Sequence, residues 1–337
     1  MKVHRPICRR ISFWLIWLVL FLVIAPIGWY TLGPMTPRQS ITWGVNFSEK
    51  YARELGLDWQ TAYLAILDDL QARRIKVASY WDLLEPEPDK FNFDNLDWQI
   101  NEAAKRQAEV ILVVGLKSPR WPECHAPGWA DKLSREARRV AIVQLVQTVV
   151  ARYKDNPAIA SWQIENEPFV SFGQCPGADT DLLKSEISAA RGLDATRPIL
   201  ISDSGELSLW LSAARYGDLV GATLYRRVWS SPLNHYLTYP LTPEFYRRRA
   251  WVVQHLLGKE VLGVELQAEP WGPVATAQLS LADQDQSMSP AHFLADIDFA
   301  RRVGFREQYL WGTEWWYQRK QQGEPFYWTA ARDLFRE

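Results

Sequence analysis

The stretch SWQIENEPFV (161–170) carries two glutamates, Glu165 and Glu167, where an apolar run reaches Pro168. Proline cannot donate to a β-ladder and restricts the residue before it, so the run ends there as a strand. An unpaired carboxylate is costly to desolvate. Two of them at the end of a buried strand are therefore satisfied structural groups or chemistry. Working outward, the same kind of apolar run recurs as ITWGVNF (41–47), IKVASY (75–80), EVILVVGL (109–116), IASWQIE (159–165), PILISD (198–203), LVGATLY (219–225), EVLGVEL (260–266) and FREQYLW (305–311). Between them lie longer amphipathic stretches, among them 94–108, 134–154, 182–193, 243–257 and 291–303.

Strands alternating with helices predict a parallel sheet covered on both faces. Eight such units in about 300 residues are the size of a closed (β/α)₈ TIM barrel, expected over 41–337. A doubly wound open sheet is the alternative. It lacks support, because no GxGxxG or GxxxxGK[ST] turn follows the first strand.

The first ten residues, MKVHRPICRR, hold Lys2, Arg5, Arg9 and Arg10 and no acid. An uncharged apolar run, 11–32, follows, and the next charge is Arg38. The run is about the ~20 residues needed to cross a bilayer, whereas the apolar part of a cleaved signal is usually ~7–15 residues. It is expected to be a transmembrane helix acting as a signal-anchor, with 1–10 cytoplasmic and the barrel extracytoplasmic, periplasmic or at the cell surface. A cleaved signal peptide is the competing reading. Residues 33–40, GPMTPRQS, form a short linker. Four of the 38 basic residues and none of the 39 acidic ones precede Arg38, leaving 34 against 39, a net charge of −5. No basic patch or run argues for nucleic acid as a partner.

Active sites of barrels lie at the C-terminal ends of the strands. Side chains alternate along a strand. That parity turns Gln163, Glu165 and Glu167 of the fourth strand toward the barrel axis, and Val261, Gly263 and Glu265 of the seventh. Strands three apart in the ring place Glu167 and Glu265 across the mouth from each other. Such a carboxyl pair suits retaining glycoside hydrolysis, in which one protonates the leaving oxygen and the other attacks the anomeric carbon. Glu269, in the loop beyond, is a rival nucleophile. Glu165, one layer deeper, is expected to be a buried structural carboxylate with a basic partner.

Asn-Glu-Pro ending strand four, with a glutamate ending strand seven, resembles clan A of the glycoside hydrolases. These are retaining (β/α)₈ enzymes that include cellulases, mannanases and β-galactosidases. The stretch 81–115, with a tryptophan and an E-P-x-x-x-x-F-x-F pattern leading into a helix, is similar to several such families. The resemblance implies that Glu167 is the acid/base, Glu265 the nucleophile and Asn166 a ligand of the sugar 2-hydroxyl. It further implies that Tyr225 hydrogen-bonds the nucleophile and that Trp311 is the platform beneath the reacting sugar. VVGLKSPRWPECH (113–125) departs from the cellulase-like pattern in lacking its histidine.

The chain has 18 tryptophans, a surplus that points to aromatic binding surfaces as well as core. Trp43, Trp81, Trp121 and Trp271, near strand ends, are expected to line a cleft for a β-linked glycan. Phe169, Trp229, Trp315 and Trp316 occupy similar positions. His125, His235, His255 and His292 lack metal-ligand spacing, so neither metal nor cofactor is expected. His125 is expected to be a solvated loop residue. With Cys8 on the cytoplasmic side, Cys124 and Cys175 are the pair available for a disulfide between neighbouring loops. The expected function is a membrane-anchored retaining β-glycoside hydrolase. A catalytically silent glycan-binding barrel and a transglycosidase are the alternatives.

Overall fold

The computed structural model describes residues 40–337 throughout and, before them, only 14–15, 17–22, 25 and 28–29. Residues 1–10, half of the expected span 11–32 and nearly all of the linker 33–40 lie outside the described residues. Among the described residues no helix is long and apolar enough to cross a membrane.

All eight expected strands form. In chain order they are β1 (Thr42–Phe47), β2 (Arg74–Ala78), β3 (Glu109–Val114), β4 (Ile159–Ile164), β5 (Ile199–Asp203) and β6 (Leu219–Leu224). After a hairpin of β7 (Arg227–Ser230) and β8 (His235–Thr238) come β9 (Glu260–Gln267) and β10 (Glu307–Trp311). The barrel closes in the order β1-β10-β9-β6-β5-β4-β3-β2, and closure rules out the open sheet. The ladders within it are parallel, while the hairpin is antiparallel and stands outside the ring.

The helices fall where the periodic stretches lie. Ser134 and Asp179 accept the N–H groups of Ala137 and Leu182, which starts Arg135–Tyr153 and Thr180–Leu193 at the positions a capping side chain favours. Most of the core lies between the barrel and these helices. A second, smaller apolar cluster, Ile111, Leu200, Leu262, Val264 and Tyr309, fills the inside of the barrel. Above it the inward side chains are polar.

Leu262 and Val264 in that cluster correct the expected parity of the seventh strand, β9. Gly263 instead faces Gln308, whose amide donates to the Ala300 carbonyl of an outer helix. The register supplies the reason. Ala222 pairs with Gly263 but Thr223 pairs with Glu265, so β9 holds one extra residue at this point. The ladder to β10 is irregular at the same place. A bulge of this kind reverses the alternation, and it returns Glu265 to the inside.

Candidate active site

After Ile164 the backbone leaves the extended conformation. Glu165 and Glu167 have φ of 57° and 42°, a conformation non-glycine residues hold only when their surroundings enforce it. At Glu167 the N–H donates to Ser202 Oγ at 2.8 Å, and the carbonyl accepts Lys117 Nζ at 3.1 Å. Lys117 also reaches the Val170 carbonyl at 2.9 Å, so this lysine braces the loop and makes no contribution to the cavity surface. The Glu167 carboxyl accepts Thr223 Oγ1 at 2.9 Å. Thr223 in turn accepts the Gly205 N–H at 3.1 Å. The two backbones pass so close that a Cβ on Gly205 would lie 1.6 Å from the Thr223 carbonyl oxygen, hence glycine there.

Beside it, Asn166 is fixed from both ends. Gln163 donates to its Oδ1 at 3.1 Å, and its Nδ2 donates to Glu123 at 3.0 Å. Across the mouth, Glu265 accepts Lys76 Nζ at 2.7 Å on one oxygen and the Tyr225 hydroxyl at 2.8 Å on the other. Both members of the Lys76–Glu265 pair are buried. Burial, with the Glu265 charge second, pushes Glu167 up to about 8. The same two causes push Glu123 up. The pair is thus electrically asymmetric. Glu265 has a cation and a hydroxyl donor to hold its negative charge, while Glu167 is held protonated at neutral pH.

Glu167, Glu265, Asn166 and Tyr225 open into one cavity of about 800 Å³. Trp121, Trp271 and Trp311 line it as well, together with Trp229 and Phe172. The Arg120 guanidinium lies 3.6 Å from the Tyr51 ring centroid and 4.0 Å from that of Trp311, which stiffens this wall.

Trp43 and Trp81 do not reach the cavity, and the expectation that they contact glycan is corrected. Trp43 sits in the main core. Trp81 is fully buried, packs edge-on against Trp129 and donates its indole N–H to Glu85 at 2.7 Å. Apolar bulk close to a strand end was packed inward in both cases. Trp315 and Trp316 are likewise buried, and Phe169 stacks on Tyr216.

Two other residues depart from expectation, and Glu269, in the loop beyond β9 as expected, lines the same cavity. Among the described residues Glu165 forms no ion pair with a basic side chain. It accepts the N–H groups of Leu116 and Lys117 at 2.8 and 2.6 Å and meets the buried carboxyl of Glu186 on the helix Thr180–Leu193. Burial raises both groups, and a neutral carboxyl is the form this pair favours. His125 is buried, not solvated, between Lys50 and the Arg120 carbonyl at 3.0 and 3.1 Å. Burial and Lys50 lower it to about 4, so the ring is neutral. Glu269 pairs with Arg120, which also reaches Glu314 at 3.3 Å.

Lys76, Glu123, Thr223 and Glu206 belong to the site and were not singled out in the sequence. Glu206 accepts the Tyr225 N–H and the Tyr246 hydroxyl at 3.0 and 2.8 Å, and burial raises it to about 7. For Lys76 a signal was present, a cation between the buried apolar residues Ile75 and Val77 of β2. Glu123 had none, since its position depends on the loop around it. That loop is joined to the next by a Cys124–Cys175 disulfide, Cα atoms 5.3 Å apart. Among the described residues no group of three or more His, Cys, Asp or Glu side chains is placed to hold a metal ion.

A closed parallel barrel with a carboxyl at the end of each of β4 and β9 is the arrangement of the clan A glycoside hydrolases, and the resemblance holds in sequence and in fold. No protein-family model matches the chain. Among curated proteins it is similar to the probable mannan endo-1,4-beta-mannosidase A of Aspergillus niger, 33% identical over 82 residues, which are 23% of this chain and 20% of that protein. It is also similar to the beta-galactosidase LacZ of Lactobacillus acidophilus, 27% identical over 150 residues, 37% of this chain and 22% of that protein. The matches thus span about a fifth of each relative. Among solved structures, xylanase 10B of Thermotoga maritima superposes with a TM-score of 0.57 at 14% identity, covering 81% of this chain and 83% of that one. At that identity the likeness is one of fold.

Proposed function

We propose that the chain is a retaining glycoside hydrolase that cleaves a β-linked glycan by double displacement, with Glu167 as acid/base and Glu265 as nucleophile. The observation that carries the reading is the electrical asymmetry of two carboxyls in one cavity. Glu265, flanked by Lys76 and Tyr225, has the partners of an anion, while Glu167 keeps its proton. Attack by Glu265 on the anomeric carbon proceeds as Glu167 protonates the departing oxygen. Once the glycosyl ester forms, the Glu265 charge is gone, and Glu167 loses part of what held its proton. It then acts as the base that activates water. Asn166, fixed by Gln163 and Glu123, faces the sugar 2-hydroxyl, and Trp311 and Trp271 offer their rings to its C–H face. The named activities of the relatives, mannan endo-mannosidase and β-galactosidase, support a β-glycan substrate.

The test is chemical rescue. Glu265→Ala abolishes hydrolysis of aryl β-glycosides, and azide restores turnover with an inverted glycosyl azide product. Glu167→Ala keeps the first step for aryl groups that leave without protonation. Full activity in Glu265→Ala, with loss in Glu269→Ala, would overturn the assignment.

We further propose that residues 11–32 anchor the barrel on the extracytoplasmic side of a membrane. The reading is supported by the basic cluster before Ile11 and by the uncharged apolar run after it. Sedimentation of the full chain with membranes, and protease access to the barrel from outside intact cells, test it. A mature chain that begins near residue 35 and is soluble refutes it.

A further inference from the structure

Three aromatic rings from three loops meet in series, and the last of them rests on Tyr225, whose hydroxyl holds Glu265. Trp121, after β3, meets Phe172, after β4, with ring centroids 6.2 Å apart. Phe172 meets Trp271, after β9, at 5.9 Å. Trp271 meets Tyr225, at the end of β6, edge-on at 5.0 Å. Phe172 and Trp271 belong to strands three apart in the ring, β4-β5-β6-β9. Their contact therefore spans the barrel mouth along the same line on which Glu167 and Glu265 lie.

Depth separates the two layers. Trp121 is 64% exposed and Phe172 39%, whereas Glu265 is 3% exposed and Asn166 2%. The rings are the roof and the carboxyls the floor. The cavity between them continues on both sides of the line. Toward β1 it reaches Tyr51 and Glu54, and toward β5 and β6 it reaches Leu207 and Trp229.

The near leg of the bridge is fixed. Cys124–Cys175 ties the loops that carry Trp121 and Phe172. Gly173, φ +81°, lets the chain pass so close that a Cβ there would lie 2.5 Å from the Pro122 carbonyl and 2.6 Å from Glu123 Cβ. The far leg is held by the Trp271 N–H, which donates to Ser287 Oγ at 3.0 Å. Phe172 is the span between two supported ends.

Resting on the glycosidase reading, we propose that this aromatic bridge restricts the substrate to free glycan chain ends and short oligosaccharides, and that Phe172 is the residue that sets this specificity. An internal segment of a long chain has no way to enter from above, whereas a chain end threads beneath the rings from the side. The Phe172 ring meets Trp121 and Trp271, and among the described residues its side chain makes no hydrogen bond to either catalytic carboxyl.

The experiment has two stages. Aryl β-glycosides of the mono- and disaccharides of glucose, galactose, mannose and xylose first select the sugar; a wild-type enzyme inactive on every one of them sinks the glycosidase reading itself. The unbranched soluble β-1,4-polymer of the selected sugar then reports the bond attacked, as viscosity lost per new reducing end. Wild type is expected to release reducing ends with little fall in viscosity. Phe172→Ala, which removes the ring that joins Trp121 to Trp271, is expected to raise viscosity loss per reducing end about tenfold while the enzyme still releases reducing ends. Phe172→Tyr, which keeps the ring, is expected to match wild type. An active wild-type enzyme that collapses viscosity from the outset refutes the proposal, as does an active Phe172→Ala enzyme with the wild-type ratio.

Discussion

Replacing Thr223 by valine removes one hydroxyl of nearly unchanged shape, and the site states what should follow. Thr223 Oγ1 accepts the Gly205 N–H and donates its own proton to Glu167 at 2.9 Å. That bond favours the ionised carboxyl and opposes the burial that raises Glu167 to about 8. A hydrogen bond to a charged group contributes ~1.5–3 kcal/mol. At about 1.36 kcal/mol per unit, its loss lifts Glu167 by roughly one to two further units. Activity ends at high pH when the acid loses its proton, so a tighter proton extends activity upward. The alkaline limb of kcat/KM should move from about 8 to ~9–10 in Thr223→Val. The assay is the pH profile on an aryl β-glycoside with a poor leaving group, for which protonation is required. Thr223→Ser keeps the hydroxyl and should keep the wild-type limb. The valine variant also leaves the Gly205 N–H without its partner, at ~1–3 kcal/mol, so its fold is checked by circular dichroism. A folded Thr223→Val enzyme whose limb stays in place or falls refutes the reasoning.

Lys76→Met leaves Glu265 buried without its cation; it should abolish turnover and destabilise the barrel by ~3–5 kcal/mol in urea unfolding. Lys76→Met with Glu265→Leu should be more stable than Lys76→Met alone, because no orphan charge remains. Replacing both Cys124 and Cys175 by serine opens a loop of 51 residues. By loop entropy that costs ~4 kcal/mol, or roughly 6–8 °C in melting temperature, read by calorimetry. Stability should fall as pH rises from about 6 to 8. Glu123, Glu206 and Glu314 are raised to about 8, 7 and 7, so over that range the folded state holds protons the unfolded state has lost. Asp68, Asp69 and Asp194 are lowered by hydrogen bonds to basic and polar partners, so stability should also decline in strong acid. A urea midpoint that rises steadily from pH 6 to 8 would contradict this.

Period and length were enough to locate all eight barrel strands, because each is a short apolar run bounded by polar turns. The hairpin Arg227–Thr238 was not legible, since its side chains are only half-buried and carry little apolar pattern. Glu265 illustrates how a correct residue can rest on an incorrect step. Alternation alone turned Val261 and Gly263 inward with it, whereas the bulge reverses the first part of β9 and keeps Glu265 inside. Glu165 shows the opposite. Its parity pointed to the axis, but positive φ turned it toward Glu186. The third and fourth loops carry Glu123 and Phe172 to places set by contacts between distant segments, and no local rule reaches those.

The Glu165–Glu186 contact makes unfolding an acid-releasing reaction. The Glu186 carboxyl, raised well above its ordinary value by burial and the neighbouring Glu165 charge, returns on unfolding to water, where it ionises near ~4.3. At neutral pH the heat absorbed on melting then contains the heat with which the surrounding buffer takes up that proton. Calorimetric enthalpies recorded in amine and in phosphate buffers should differ by the protons released multiplied by the difference in buffer ionisation heat. In a Glu186→Gln variant that difference should shrink, and the slope against buffer ionisation heat counts the protons the native barrel stores.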